Sequence, residues 1–395
     1  MIDMDFSRHQ KFIVGNYAPP ALEIIRGEGS ILWDKNGKDY LDFASGIAVT
    51  NLGHGHPHWV KCVQQQASEL VHCSNLFSIP QQVSLAERLV GEIGDGKILF
   101  CNSGAEANEA LIKLSRLFGN QGKDARSKIL VAKNGFHGRT LGALSATEST
   151  KYRKGFEPLL PGFVFCNYND LQDFEKSIDD QTVAILVESI QGEGGLTVAS
   201  DEFLLGLESL CNQHKMLFLI DEVQAGIART GNFLGYQKSG AKPHAVALAK
   251  GLGGGFPIGA IWVNPEHADL FTPGSHGTTY GGSPLACSAA DAVLEIIKRE
   301  NLIERAKTYG EKLKSSLEEL SNQFPEKITS VKGRGLMLGL GMSCDPSPLI
   351  TILRELGLIT VGAAGQTLRI LPPLTVKKEE IEKALSILKS GLSQI

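Results

Sequence analysis

Between about residues 97 and 262, short unbroken apolar runs alternate with amphipathic stretches of helical spacing, and few folds accept that pattern. The runs are Ile98–Cys101, Ile129–Ala132, Ala184–Val187, Leu217–Ile220, Ala245–Ala249 and Ala260–Val263. Between them lie helix-like stretches such as Ala105–Phe118 and Glu202–His214. A strand with no polar interruptions is buried on both faces. Such strands, separated by helices, predict an α/β fold with a mostly parallel sheet covered by helices. Ligands bind beyond the carboxyl ends of the strands in sheets of this kind, so the chemistry is sought there.

The flanks read differently. Residues 20–44 predict a small antiparallel unit: Glu23–Arg26, Ile31–Asp34, a Lys35-Asn36-Gly37 turn and Tyr40–Phe43. After Pro284 two long helices are expected. The second carries Leu302, Ala306, Tyr309, Leu313, Leu317 and Leu320, three or four apart, as one apolar stripe. Gly333–Gly341 and Leu368–Leu371 read as strands of a further α/β unit. The 395 residues are enough for two domains. The expected division is a large domain over 61–274 and a smaller one built from both chain ends, 1–60 with 275–395.

Charge and cysteine usage narrow the function. A net charge of −4 without clustered Lys and Arg offers no surface for nucleic acid. No run of 18 apolar residues predicts a membrane span. The opening MIDMDFSRHQKF has neither an apolar signal core nor an Arg-rich transit pattern. Seven scattered cysteines, never spaced C-x-x-C, argue against disulfides or a zinc cluster. A cytoplasmic setting and no bound metal are expected.

Three stretches carry chemistry. Leu217–Ile220 ends in Asp221-Glu222, carboxylates at the sheet edge where ligands bind. Asp221 there can bind magnesium, pair with a ring nitrogen or cap the next turn. Ala245–Ala249 ends in Lys250 followed by Gly251-Leu252-Gly253-Gly254-Gly255. Glycines open space around the amine, and desolvation favours its neutral, nucleophilic form; the alternative is a lysine reaching out to solvent. Lys97–Cys101 leads through Asn102-Ser103 into a helix start at Gly104-Ala105, whose free N–H groups suit a phosphate as well as an ordinary cap. The nearby Gly91–Lys97 stretch approaches a P-loop but lacks the final Ser/Thr and precedes a strand. His54-Gly55-His56-Pro57-His58 has no acidic or thiol partner at ligand spacing and reads as a structural loop.

The combination is more specific than its parts. A phosphate cradle, a strand-end Asp and a strand-end Lys together supply what pyridoxal 5'-phosphate needs. The lysine forms an imine, the aspartate keeps the pyridine nitrogen protonated, and the helix start neutralises the phosphate.

The chain resembles the class III aminotransferases of pyridoxal-phosphate fold type I, and within them the acetylornithine branch, from about Tyr17 to Leu374. The motifs that carry the resemblance are SGIAVTNLGHGHP (45–57), NSGAEANEA (102–110), FHGRT (136–140), KYRKGFEPLLPGF (151–163), ESIQGEGG (188–195), DEVQAGIARTG (221–231), AKGLGGGFPIGA (249–260), HGTTYGGSPLAC (276–287) and LRILPPLT (368–375). The resemblance implies that Lys250 carries the cofactor as a Schiff base and Asp221 pairs with its ring nitrogen. Gln224 is expected at the ring hydroxyl, Phe136 and Val223 on the two ring faces, and Ser103, Gly104 and Ala105 at the phosphate. Thr279 is expected to reach the phosphate of a neighbouring subunit, which implies a homodimer with shared sites, and Thr278 to touch substrate.

For substrates, the resemblance implies a small-molecule amino donor, N2-acetyl-L-ornithine, and 2-oxoglutarate as acceptor; the alternatives are another ω-amine donor (ornithine, succinylornithine, 4-aminobutyrate or a carrier-linked lysine) and, further off, an aminomutase or racemase. Arg139 is expected to grip the carboxylate distal to the reacting amine, with Glu188 orienting it. Arg369 is expected to take the α-carboxylate of glutamate, and Glu193 to pair with Arg369 when an ω-amine occupies the site. Tyr17 and Ile47 complete the expected substrate wall; in the ornithine branch a tyrosine is expected where this chain has Ile47. The chain departs from the family pattern at Ser189, Ala225 and His244, where Pro, Thr and Asp are usual; none of the three is expected to do chemistry.

Overall fold

The computed structural model describes residues 7–122 and 124–395. Its central sheet has seven strands: β1 (Lys97–Cys101), β2 (Lys128–Ala132), β3 (Phe163–Cys166), β4 (Thr182–Glu188), β5 (Leu217–Asp221), β6 (Ala245–Leu248) and β7 (Gly259–Val263). Their order across the sheet is β1-β7-β6-β5-β4-β2-β3. The pairs from β6 through β5, β4 and β2 to β3 are parallel, while β7 runs antiparallel to both β6 and β1. Every residue of β4 and β5 is buried, as the unbroken apolar runs require. The helix α1 (Gly104–Gly119) follows β1 and buries Ala107, Ala110, Leu111 and Leu114 against one face. β3 is not among the expected runs although Phe163-Val164-Phe165-Cys166 is apolar; it lies at the sheet edge, with only Cys166 fully buried.

The two chain ends meet by hydrogen bonding. Strands Ile24–Glu28, Ile31–Asp34 and Asp39–Asp42 form an antiparallel ribbon, and Leu358–Ile359 adds to it parallel to the third strand. The Leu371 N–H donates to Phe43 O at 2.7 Å, and the Leu374 N–H to Asn51 O at 2.7 Å. The expected single strand Gly333–Gly341 is in fact a hairpin, Ile328–Arg334 paired antiparallel with Met337–Met342. Gly333 and Gly335, at φ 94° and 59°, supply the left-handed backbone that reverses the chain there. The expected stripe lies on helix Leu302–Gln323, where Leu302, Ala306, Leu313, Leu317 and Leu320 are buried and Tyr309 packs beside them. Among the described residues no helix is long and apolar enough to cross a membrane.

Candidate active site

The carboxyl ends of β4 and β5, the segment after β6 and the turn after β1 open on one cavity of about 420 Å³. Ser103, Gly104 and Ala105 line it at the start of α1, and Phe136 and Arg139 line it from the loop after β2. Glu188, Glu193, Asp221, Val223, Gln224 and Lys250 complete the set of sequence-expected residues that it gathers.

At the start of α1 the Ser103 Oγ accepts the Glu106 N–H at 3.2 Å. The hydroxyl proton stays available, and the first-turn N–H groups of Gly104 and Ala105 have no intrahelical partner. With the positive end of the helix dipole behind them they suit an anion. Gly104 is needed for this approach: a Cβ there would lie 2.6 Å from Val223 Cγ1.

Asp221 is 4% exposed and fully engaged. Its Oδ2 accepts Asn108 Nδ2 at 2.7 Å and lies 2.8 Å from His137 Nδ1; its Oδ1 accepts the Val223 N–H at 2.9 Å. The capping role weighed from sequence is therefore present, and the carboxylate still lines the cavity. Burial alone pulls the His137 pKa down, but the hydrogen bond and charge of Asp221, with Glu188 behind, outweigh it and the pKa is raised. A histidine that favours its proton is a second donor holding Asp221 in place. Neither His137 nor Asn108 was singled out from sequence. The FHGRT motif contains His137, yet no spacing in the chain links it to a residue 84 positions later.

Lys250 follows β6 with its backbone in the left-handed region at φ 45°. A non-glycine residue there is strained by roughly 1–3 kcal/mol and persists only where the surroundings impose it. Its Nζ makes no hydrogen bond to another described residue. Desolvation lowers its pKa, Arg369 adds to the lowering, and Glu193, Asp221 and Glu188 oppose it. The net effect favours the neutral amine.

Arg369 is 2% exposed on strand Thr367–Ile370, behind the cavity wall. Its guanidinium meets Glu193 in a fork, Nη1 to Oε1 at 2.5 Å and Nη2 to Oε2 at 3.3 Å. Nη2 also donates to Gly362 O at 2.8 Å, and Nη1 to Gln224 Oε1 at 3.3 Å. The Glu193 side chain is 25% exposed, so one member of the pair can leave while the other is fixed.

One expectation is corrected. Glu188 does not orient Arg139, and no hydrogen bond or ion pair joins them among the described residues. Glu188 Oε1 accepts the Phe136 N–H at 3.0 Å and Oε2 the Gly192 N–H at 3.1 Å. The carboxylate thus ties the loop bearing Phe136 to the loop bearing Glu193, and burial drives its pKa up to about 7. Arg139 instead lies over the Tyr152 ring, 3.7 Å from its centre.

Five expected residues do not line this cavity: Arg369 behind its wall, and Thr278, Thr279, Tyr17 and Ile47. Thr278 Oγ1 accepts Asn102 Nδ2 at 3.2 Å, which places it one residue behind the rim. Thr279 and Tyr17 are exposed, and Ile47 is 38% exposed beside the segment whose Val49 lines the cavity.

A buried carboxylate, a desolvated lysine amine and a helix start with free N–H groups line one cavity, and these are the groups pyridoxal phosphate requires. The Aminotransferase class-III family model matches residues 13–392, and the chain belongs to that family. It is therefore a pyridoxal-phosphate-dependent transaminase. Among individual relatives, it is 45% identical to the acetylornithine aminotransferase of Aquifex aeolicus, over 96% of this chain and all of that one. It is 43% identical to that of Caldanaerobacter subterraneus, over 98% of each. Of solved structures, the ornithine aminotransferase of Toxoplasma gondii superposes with a TM-score of 0.94 at 30% identity, covering 98% of this chain and 94% of that one. The acetylornithine aminotransferase of Elizabethkingia anophelis gives 0.87 at 33%, covering 99% and 98%.

Proposed function

We propose that this enzyme moves the δ-amino group of N2-acetyl-L-ornithine to 2-oxoglutarate, giving N-acetyl-L-glutamate 5-semialdehyde and L-glutamate, a step of arginine biosynthesis. The observation that carries the reading is the Arg369–Glu193 pair at the wall of the Lys250 cavity. A buried cation masked by a partly exposed carboxylate suits an enzyme that alternates between a donor without an α-carboxylate at the reacting carbon and glutamate, which has one. The near full-length likeness to acetylornithine aminotransferases supports the donor.

When bound, pyridoxal phosphate supplies an electron sink that lets a C–H bond beside nitrogen ionise. Gly104, Ala105 and Ser103 hold its phosphate, Asp221 its ring nitrogen, Gln224 its ring hydroxyl, and Phe136 and Val223 its faces. Lys250 would anchor it through Nζ and, with that amine free, would take the proton from the donor's δ-carbon as general base and deliver it to the cofactor side as general acid, the reverse transfer serving the acceptor. Arg139 binds the donor's distal carboxylate, with Thr278, Tyr17 and Ile47 near the entrance. An arginine fork fits a carboxylate through two parallel N–H bonds. In the second half-reaction Glu193 swings away and Arg369 takes the carboxylate beside the keto group of 2-oxoglutarate, which becomes the α-carboxylate of glutamate.

The enzyme acts as a homodimer in this reading. Thr279 is exposed beside Tyr280, Leu76 and Phe77, which are 65%, 87% and 66% exposed. Asn75 Nδ2 donates to Thr278 O at 3.3 Å and Gly281 O at 3.0 Å, so these apolar side chains stand on neighbouring loops. An apolar surface of that kind marks an interface, and there Thr279 reaches the partner's phosphate site. Its setting is cytoplasmic, and the domains divide at 60/61 and 274/275.

The test is a single-turnover comparison of N2-acetyl-L-ornithine, L-ornithine, N2-succinyl-L-ornithine and 4-aminobutyrate, following the cofactor's absorbance. Fastest reaction with acetylornithine supports the reading. Faster reaction with another amine replaces the donor, and turnover without 2-oxoglutarate replaces the reaction type.

A further inference from the structure

A second cavity of about 740 Å³ adjoins the first and shares Phe136 and Glu193 with it. Tyr152, on the helical turn Thr150–Arg153, lines this second cavity, and Arg139 lines the first. The two side chains meet where the cavities join. The guanidinium carbon of Arg139 stands 3.7 Å from the centre of the Tyr152 ring and 5.6 Å from that of Phe136. The two rings are edge to face, centres 5.9 Å apart at 84°, so Tyr152 is itself held by the ring at the cavity wall. No carboxylate pairs with Arg139 among the described residues.

The choice of partner matters chemically. An Asp or Glu at this place would neutralise the guanidinium and compete with an incoming carboxylate. An aromatic face attracts the cation through its quadrupole, leaves the N–H edges unbonded and keeps the positive charge whole. Arg has long, freely rotating links, and holding it in place before substrate arrives removes ordering that binding would otherwise have to supply.

We infer that Tyr152 is a positioning residue for donor selection: its ring parks Arg139 at the junction of the two cavities, ready for the carboxylate at the donor's far end. This rests on the assignment of Arg139 to that carboxylate. The donor's acyl-bearing end then lies toward the larger, more polar cavity. The ring alone performs the task, so the Tyr152 hydroxyl is dispensable.

The experiment is donor-only single turnover with two amines that differ in one group, N2-acetyl-L-ornithine and N-acetylputrescine, the second lacking the carboxylate. Tyr152→Leu is expected to raise the half-saturating concentration of acetylornithine about fivefold, the scale of a partly desolvated cation–π contact. The saturating rate and the response to N-acetylputrescine stay unchanged, and Tyr152→Phe behaves as the parent. An equal loss with both amines would mean simple packing and overturns the inference, as does no loss at all. Tyr152→Gln repeats the test if the leucine variant fails to fold. Arg139→Gln separates the two levels. If it weakens both amines equally, the Arg139 assignment itself fails. If it selectively weakens acetylornithine while Tyr152→Leu does not, the assignment stands and the role of Tyr152 falls.

Discussion

His137 Nδ1 and Asp221 Oδ2 lie 2.8 Å apart with both side chains closed off from solvent, and the other ring nitrogen of His137 is buried without a partner among the described residues. The carboxylate proposed to pair with the cofactor's ring nitrogen is thus backed by a histidine whose pKa is raised, and by Asn108 from α1. Replacing His137 with Leu should leave Asp221 one donor short. Leaving a buried carboxylate short of a partner costs about 1–3 kcal/mol, roughly a 5- to 150-fold loss. That loss is expected in pyridoxal-phosphate affinity, read by titration of the cofactor's absorbance; unchanged affinity would show that Asn108 and Val223 suffice.

The same pair sets a pH dependence. A histidine pKa raised by folding means that the folded state binds the proton more tightly than the unfolded chain. The stability so contributed is complete below the ordinary value of 6.5 and disappears as pH climbs through the raised value. Melting temperatures across pH 6–9 should therefore differ most between parent and His137→Leu at the acid end and converge toward the alkaline end. A constant gap would mean that the proton is not involved.

Lys250→Ala should still bind pyridoxal phosphate, because the helix start, Asp221 and Gln224 remain, but without a covalent link. Borohydride treatment followed by denaturation should release the cofactor from the variant and not from the parent. Transamination should fall by several orders of magnitude, and turnover near the parent rate would remove Lys250 from the proton-transfer role.

Glu193→Ala unmasks Arg369 permanently. The acetylornithine half-reaction should suffer more than the glutamate half-reaction, because only the former needs the cation covered. Separate single-turnover rates for the two donors decide it, and equal losses argue against a switch.

Arg229 is wholly buried, and its guanidinium donates to Leu336 O at 3.2 Å, Asn51 Oδ1 at 2.5 Å and Pro372 O. Burial lowers its pKa to about 9, but it remains a cation at neutral pH. It joins the loop after β5 to both chain ends. Arg229→Leu strands three buried acceptors and should cost about 3–5 kcal/mol, as removal of one member of a buried polar set does. Urea unfolding measures this, and a loss under 1 kcal/mol would show that water replaces the guanidinium.

The sequence by itself determined the elements whose causes are local. Apolar runs marked six of the seven central strands, because burial on both faces keeps the middle of β4 and β5 apolar and confines Thr182, Glu188 and Asp221 to their ends. The strand-end positions of Asp221 and Lys250, and the cap at Ser103, followed from the same boundaries. Folding alone decided the pairings between residues far apart in the chain. Arg369 meets Glu193 because its strand pairs with Met337–Met342 and its loop partner Ala364 donates to Glu193 O at 2.9 Å. His137 reaches Asp221, Glu188 staples two loops and leaves Arg139 alone, and Arg139 settles on Tyr152. A side chain's partner depends on where separate strands and loops cross, and local propensity and periodicity carry no record of that crossing.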